Sequence, residues 1–305
     1  MNKQILFLII PLLLFGCGLK DDITKKDSPT TGNINFFFDE GLTLHIHNQI
    51  NTFKSTYTYA VINLFSSDEK ACIEALYNDS SKVIAITRKL SEKELNQFKQ
   101  KNISLNTSVV AKDAIAIIVN QDFKDSSISI NELQQLLLGN DSLYIKGKKV
   151  NVIFDNENSG SARQLKEQFA SKQNFGKNCS AVKNTTELIQ SISQSKSAIG
   201  ICDFAWLSDK DDLTTKEFAK AVKILAVSKK ENETAYMPDQ SNIATDDYPL
   251  TRNICIIRRS SEFTLGKGIE TFIAGPIGQM MFLKQGLPPH RQEERLIEVD
   301  FTPLK

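Results

Sequence analysis

Short apolar runs alternate with amphipathic stretches along most of this chain. Ile34–Phe38, Tyr57–Phe65, Val83–Ile86, Ala114–Val119, Val150–Phe154, Ala198–Ile201, Ala221–Val227 and Asn253–Ile257 each have strand length and apolar content. Between them, helical spacing takes over. Leu42, Ile46, Ile50 and Phe53 fall on one helical face. Ser66 with Glu69, Ser91 with Glu94, Ser129 with Glu132 and Asn184 with Glu187 stand at capping-box spacing, each opening a helix. Further helices are expected from Ser161 to about Ala170, and on both sides of Gly275-Pro276. Ala114–Val119 is continuously apolar, as suits a strand covered on both faces. The alternation predicts an α/β protein with mainly parallel sheets.

One apolar run does not fit this rhythm. Ile5–Phe15 follows Lys3 and is shorter than the roughly 20 residues a membrane-spanning helix needs. Residues 1–16 therefore read as a secretory signal peptide. Leu14-Phe15-Gly16-Cys17 resembles a bacterial lipobox, in which Cys17 would carry lipid and become the mature N-terminus. Gly18–Gly32 is polar and reads as a tether. The expected product is an envelope lipoprotein facing the periplasm, its mature part held to the membrane by lipid.

Charge narrows the partners. The 37 Lys and Arg nearly balance the 36 Asp and Glu. No global field exists to recruit nucleic acid or to steer anions over distance, so any bound anion must be held by local geometry. Cys72, Cys179, Cys202 and Cys255 match no metal or redox spacing. His45 and His47 could share a metal only on a strand, and the helical period of their neighbours sets them on different faces. No metal or cofactor is expected.

The candidate chemistry lies where strands end. Asp39-Glu40-Gly41, Ser66-Ser67-Asp68 and Asn158-Ser159-Gly160-Ser161 each follow a strand and precede a helix, and Thr87-Arg88 closes a fourth strand. Helix N-termini present free amides and the positive end of the helix dipole. Small hydroxyl residues and glycine let an anion approach that backbone. A carboxylate in such a site repels a fully ionised sulfate but accepts a hydrogen bond from the P–OH of phosphate. Asp39, Asp68 and Asp155 are the candidate acceptors, and the residue pattern does not choose among them. Arg88 and Arg163 are the candidate bidentate cations.

These segments, with Ala85–Ser91, Lys112–Asn120, Phe154–Arg163, Ala198–Ile201, Trp206–Asp209, Tyr248–Arg252 and Phe272–Gln279, resemble the phosphate-binding component of phosphate ABC transporters in its lipoprotein form. The resemblance spans about Asn33 to Lys305. It implies a periplasmic-binding-protein-like fold of type II, with a ligand cleft between two lobes joined by crossing strands. Lobe 1 would hold residues 33–112 and 221–305, and lobe 2 residues 113–220. It further implies an inorganic phosphate ligand, an ABC permease partner and a monomeric protein. Ser159-Gly160-Ser161 matches the family's Ser-Gly-Thr phosphate loop, and Ser67-Asp68 approximates the second loop. The family's usual arginine four residues before the Ser-Gly pair is here Asp155, which assigns the cationic role to Arg163 or Arg88. The site expected from residues and resemblance together is Asp39, Glu40, Ser67, Asp68, Thr87, Arg88, Asn158, Ser159, Gly160, Ser161 and Arg163.

Two other function classes compete with this reading. A hydrolase needs a nucleophile beside a base, and neither a Gly-x-Ser-x-Gly elbow nor a histidine near Ser159 is present in the sequence. A non-transport lipoprotein, acting as anion sensor or surface scaffold, would suit Lys20-Asp21-Asp22 as a sorting signal after Cys17.

Overall fold

The computed structural model describes residues 27–139, 144–145, 148–261 and 263–291. Residues 1–16, expected to form a signal peptide, lie outside the described residues, as do Cys17 and Lys20-Asp21-Asp22.

The first half of the chain opens with β1 (Gly32–Asp39), α1 (Thr43–Thr56), β2 (Ala60–Ser67), α2 (Glu69–Tyr77), β3 (Val83–Ile86) and α3 (Glu92–Gln100). Then comes β4 (Leu105–Asn120), a strand of 16 residues. It leads to β5 (Ser127–Ser129), α4 (Ile130–Leu138), the β6–β7 pair (Tyr144–Ile145, Lys148–Lys149), β8 (Asn151–Phe154) and α5 (Gly160–Phe169). The chain continues through β9 (Cys179–Ala181), α6 (Thr185–Gln194), β10 (Ala198–Asp203), α7 (Ala205–Ser208) and α8 (Leu213–Ala221). It finishes with β11 (Val222–Ile224), β12 (Ala226–Ser228), β13 (Ala235–Tyr236), α9 (Gln240–Ala244), β14 (Thr251–Arg259), α10 (Leu265–Ala274) and α11 (Pro276–Lys284).

The main sheet runs β2-β1-β3-β14-β4-β10-β8-β9, with β11 also on β4. Its topology turns on β4. Residues Leu105–Ala114 pair with β14, while Ile115–Val119 pair with β10. One strand thus passes from one half of a curled sheet into the other, and β14 returns beside it. This corrects the expectation of mainly parallel sheets. β1, β2 and β3 are parallel, as are β8, β9 and β10, but β4 is antiparallel to β14, β10 and β11, and β14 is antiparallel to β3. A strand that leaves one half and a strand that comes back must run in opposite senses, which breaks the βαβ rhythm there.

Packing follows the sequence pattern. Phe36 and Phe38 on β1 and Ile46, Ile50 and Phe53 on α1 are buried in one core that extends along β4 and under α4, α5 and α6. On the opposite face of the first half, Cys72, Leu76, Ile84, Phe98, Cys255 and Ile257 form a smaller core beneath α2 and α3. The four cysteines after Cys17 are free thiols. His45 and His47 lie on α1. His45 is fully buried beside Ser208, 3.3 Å from Nε2 to Oγ, and burial pushes its imidazole down to about 4. The capping boxes at Ser91/Glu94 and Ser129/Glu132 are both formed. Ala221–Val227 is not one strand, because the chain turns at Leu225 so that β11 joins β4 and β12 joins β5.

Before β1, the chain is pinned to the body. Asp27 Oδ1 accepts a hydrogen bond from the Leu265 amide at the start of α10, 2.8 Å away. The Pro29 carbonyl packs directly on Gly268, where a Cβ would collide with it.

Candidate functional site

The loops at the ends of β1, β3, β8 and β10 meet in one place, between the two halves. Ser159 caps α5 with its hydroxyl, accepting from the Ala162 amide at 3.2 Å. Gly160 is the first helical residue. A Cβ on it would stand 2.6 Å from Thr87 Oγ1, 3.1 Å from Asp39 Oδ2 and 3.2 Å from Glu69 Oε2. The first turn of α5 therefore faces the ends of β1 and β3 across a narrow gap, and glycine is what lets the two sides approach.

Ser161, next on the helix, is fully buried. Its hydroxyl donates to Asp203 Oδ1 and accepts from Arg252 Nη1 at 3.1 Å. Arg252 is the buried cation of the site. Its Nε and Nη2 donate to Asp113 Oδ2 at 3.0 and 2.7 Å, and Nη2 lies 2.5 Å from Asp203 Oδ1. Asp113 comes from β4 at its crossing point, Arg252 from β14 opposite it, and Asp203 from the end of β10.

The cleft holds more acid than base. Asp39, Asp113, Asp155 and Asp203 are all buried, and Glu40 is half-buried. Burial pushes the Asp39 and Asp155 carboxyls well up, with the nearby Asp203 carboxylate next in importance. Glu40 rises to about 7 for the same two reasons. Asp113 rises to about 6 because its burial outweighs the attraction of Arg252. Asp39 Oδ2, Thr87 Oγ1, Asp113 Oδ1 and Asp203 Oδ2 are buried without a hydrogen-bond partner. Orphaned polar atoms of this kind are costly unless something completes them.

The residues expected from sequence divide into two groups. Asp39, Thr87, Ser159, Gly160 and Ser161 come together around the gap, and Glu40 joins their rim, accepting from Thr185 Oγ1 at 3.4 Å. The other five do not reach it in the expected way. Ser67 ends β2, pairing with Asp39. Asp68 caps α2, its Oδ1 accepting from the Ala71 amide at 2.8 Å. Asn158 is exposed, its amide donating to Asn156 Oδ1 at 2.8 Å. Arg88 and Arg163 are both engaged by carboxylates. Arg88 binds Glu94 through Nη1 and Nη2 at 2.7 and 2.8 Å and donates from Nε to Glu69. Burial pushes Glu94 up, but hydrogen bonds from Arg88 and Ser91 outweigh it and hold the carboxyl at about 2. Arg163 reaches Glu69 at 3.1 Å and Glu167 at 2.7 Å. Glu69 thus ties Arg88, near the end of β3, to Arg163 on α5 across the gap. Beyond this bridge opens a cavity of about 910 Å³, lined from both halves by Arg88, Arg163, Lys166, Phe154 and Phe175 among others.

The cation buried beside Ser161 is instead Arg252, which the loop patterns in the sequence did not single out. Arg252, Asp203 and Asp113 are far apart in sequence. Each stands at the edge of an apolar strand run, in Tyr248–Ile257, Ala198–Asp203 and Asp113–Val119. A charge next to strands that bury both faces must find a partner, and that was the available signal.

The site is thus a narrow gap between the halves of a two-lobed α/β body, with the start of α5 facing the ends of β1 and β3. The PBP superfamily domain matches residues 36–274, so the chain belongs to that superfamily. It is 24% identical over 246 residues to the phosphate-binding protein PstS of Pseudomonas aeruginosa, covering 75% of this chain and 72% of that protein. Among solved structures, it resembles a phosphate ABC transporter substrate-binding protein from Clostridium perfringens, with a TM-score of 0.70 at 15% identity over 85% of this chain and 100% of the other. An ABC-type phosphate transport receptor from Vibrio cholerae gives 0.66 at 16% identity, covering 84% and 99%. These structures establish a periplasmic-binding-protein-like fold with a large curled sheet. Among the described residues no helix is long and apolar enough to cross a membrane.

Proposed function

We propose that this protein captures inorganic phosphate in the gap beside Gly160 and hands it to an ABC importer. The observation that carries this reading is the convergence at the start of α5. Free helix amides, the Ser161 hydroxyl and Arg252 meet Thr87 and Asp39 there, and the facing oxygens of the last two have no partner. Amides, hydroxyls and a guanidinium suit the oxygens of a tetrahedral anion. Asp39 or a neighbouring carboxylate suits the P–OH, which a fully ionised sulfate lacks. In this reading Asp39, Thr87, Ser159, Gly160, Ser161 and Arg252 hold the ligand. Glu40 shapes the rim, while Arg88 and Arg163 act through Glu69.

Capture breaks no bond, so the protein is a receptor rather than an enzyme. Lobes with boundaries near Asp113 and Lys220 would close by a hinge motion, with β4 and β14 as the crossing strands. Similarity to phosphate-transport receptors supports both the ligand and the permease partner. Cys17 would carry the lipid that holds the receptor at the membrane, leaving it to act as a monomer on the periplasmic side.

Isothermal titration of the purified protein with phosphate and with sulfate is the test. Phosphate is expected to bind at 1:1 stoichiometry and sulfate much more weakly. Absence of heat with either anion, at pH 6 and at pH 8, would remove the reading.

A further inference from the structure

The gap beside Gly160 already contains an anion that belongs to the protein. Asp203 Oδ1 accepts the Ser161 hydroxyl proton and pairs with Arg252 at 2.5 Å. Those are two of the side-chain donors an oxyanion at the start of α5 would use. Its second oxygen, Oδ2, lies against Gly41 in the turn after β1, where a Cβ would collide with it, and it has no hydrogen-bond partner. Asp203 therefore reaches from the end of β10 across to the opposite wall and occupies the donors.

From this geometry we infer that Asp203 is an internal competitor of the ligand, a specificity-determining residue that makes anion capture weaker and dependent on protons. The inference rests on the oxyanion reading above. An incoming anion must either displace Asp203 from Ser161 and Arg252 or share them with it. Sharing sets two negative groups side by side in a buried site, which is tolerable only when a proton lies between them. A ligand with its own P–OH supplies that proton, and so does a neighbouring carboxyl. The charged and titratable groups facing Asp203 from the packed elements are Asp39 at the end of β1, Glu40 just after it, Asp113 on β4, Asp155 after β8 and Arg252 on β14, with Cys202 on its own strand. Four of the six are acids, and Arg252 is the sole cation among them. Higher pH strips protons from this ring and strengthens the competition.

The test compares the wild-type protein with Asp203→Asn and Asp203→Ser, titrated with inorganic phosphate and with sulfate at pH 6 and pH 8. Circular dichroism verifies the fold, and the serine variant stands in if the asparagine variant does not fold. Removing the like charge is expected to tighten phosphate binding at pH 8 by at least about tenfold. It should also shrink the pH 6 to pH 8 affinity ratio and raise sulfate affinity, a change that a purely structural role for Asp203 would not produce. If the wild type binds phosphate and neither variant binds more tightly, the inference is overturned while the phosphate reading stands. If the wild type binds neither anion but a variant binds either one, competition by Asp203 stands and the phosphate reading of the native protein falls. No binding by any of the three proteins removes both.

Discussion

Arg252 is enclosed by Asp113, Asp203 and Ser161, and all four are buried. Exchanging it for methionine would leave the two aspartates without their cation. Breaking one side of such a pair costs about 3–5 kcal/mol. Urea denaturation of Arg252→Met should show a loss of that size, together with loss of phosphate binding. Glu40 makes a separate prediction about pH. Its carboxyl is raised from 4.5 to about 7 by burial and by Asp203. Between those two values the folded chain holds a proton that the unfolded chain has released, so stability falls as pH rises through that window. Thermal melts from pH 4.5 to pH 8 should show this decline, and Glu40→Gln should flatten part of it. The remainder belongs to Asp39, Asp113 and Asp155, which are shifted the same way.

At the level of elements, α5 is where fold and site coincide. Its capping serine and first glycine are visible in the sequence because Asn158-Ser159-Gly160-Ser161 is a recognisable helix start. Gly160→Ala should abolish phosphate binding in titration, since the new methyl would stand 2.6 Å from Thr87 Oγ1 inside the gap. By contrast, Ser91→Ala should cost about 1 kcal/mol of stability by removing half of the α3 capping box, and leave affinity unchanged. Helix starts were legible because capping is local chemistry, and short buried strands such as Val83–Ile86 were legible because continuous burial leaves an unbroken apolar run. Leu105–Val109 was missed as part of β4. Its side chains are only partly covered, so Leu105-Asn106-Thr107-Ser108 reads as polar connection, and its strand state comes from pairing with β14. The Arg252–Asp113–Asp203 cluster was missed for a related reason. Its members meet only after the sheet has curled, and no local spacing encodes that meeting.

Across the whole molecule, Glu69 joins the halves by holding Arg88 and Arg163 together. Arg163 is partly exposed, so this link should be worth at most about 1 kcal/mol. Glu69→Gln is expected to shift the hinge toward open forms by that amount, seen as a larger radius of gyration in small-angle scattering of the ligand-free protein. Trp206, the one tryptophan of the chain, lies three residues beyond Asp203 on buried α7. Its emission should therefore change as phosphate is added, and the amplitude should track calorimetric saturation. The pinned segment ahead of β1 bears on how the chain can be shortened. Read from sequence, Asn33 looks like a natural place to begin a trimmed version. A truncation there would strip the Leu265 amide of its Asp27 acceptor and uncover the surface around Gly268. Derivatives beginning at Asp27 should consequently melt higher than those beginning at Asn33, and a load applied through the N-terminus would reach α10 before it reached the sheet.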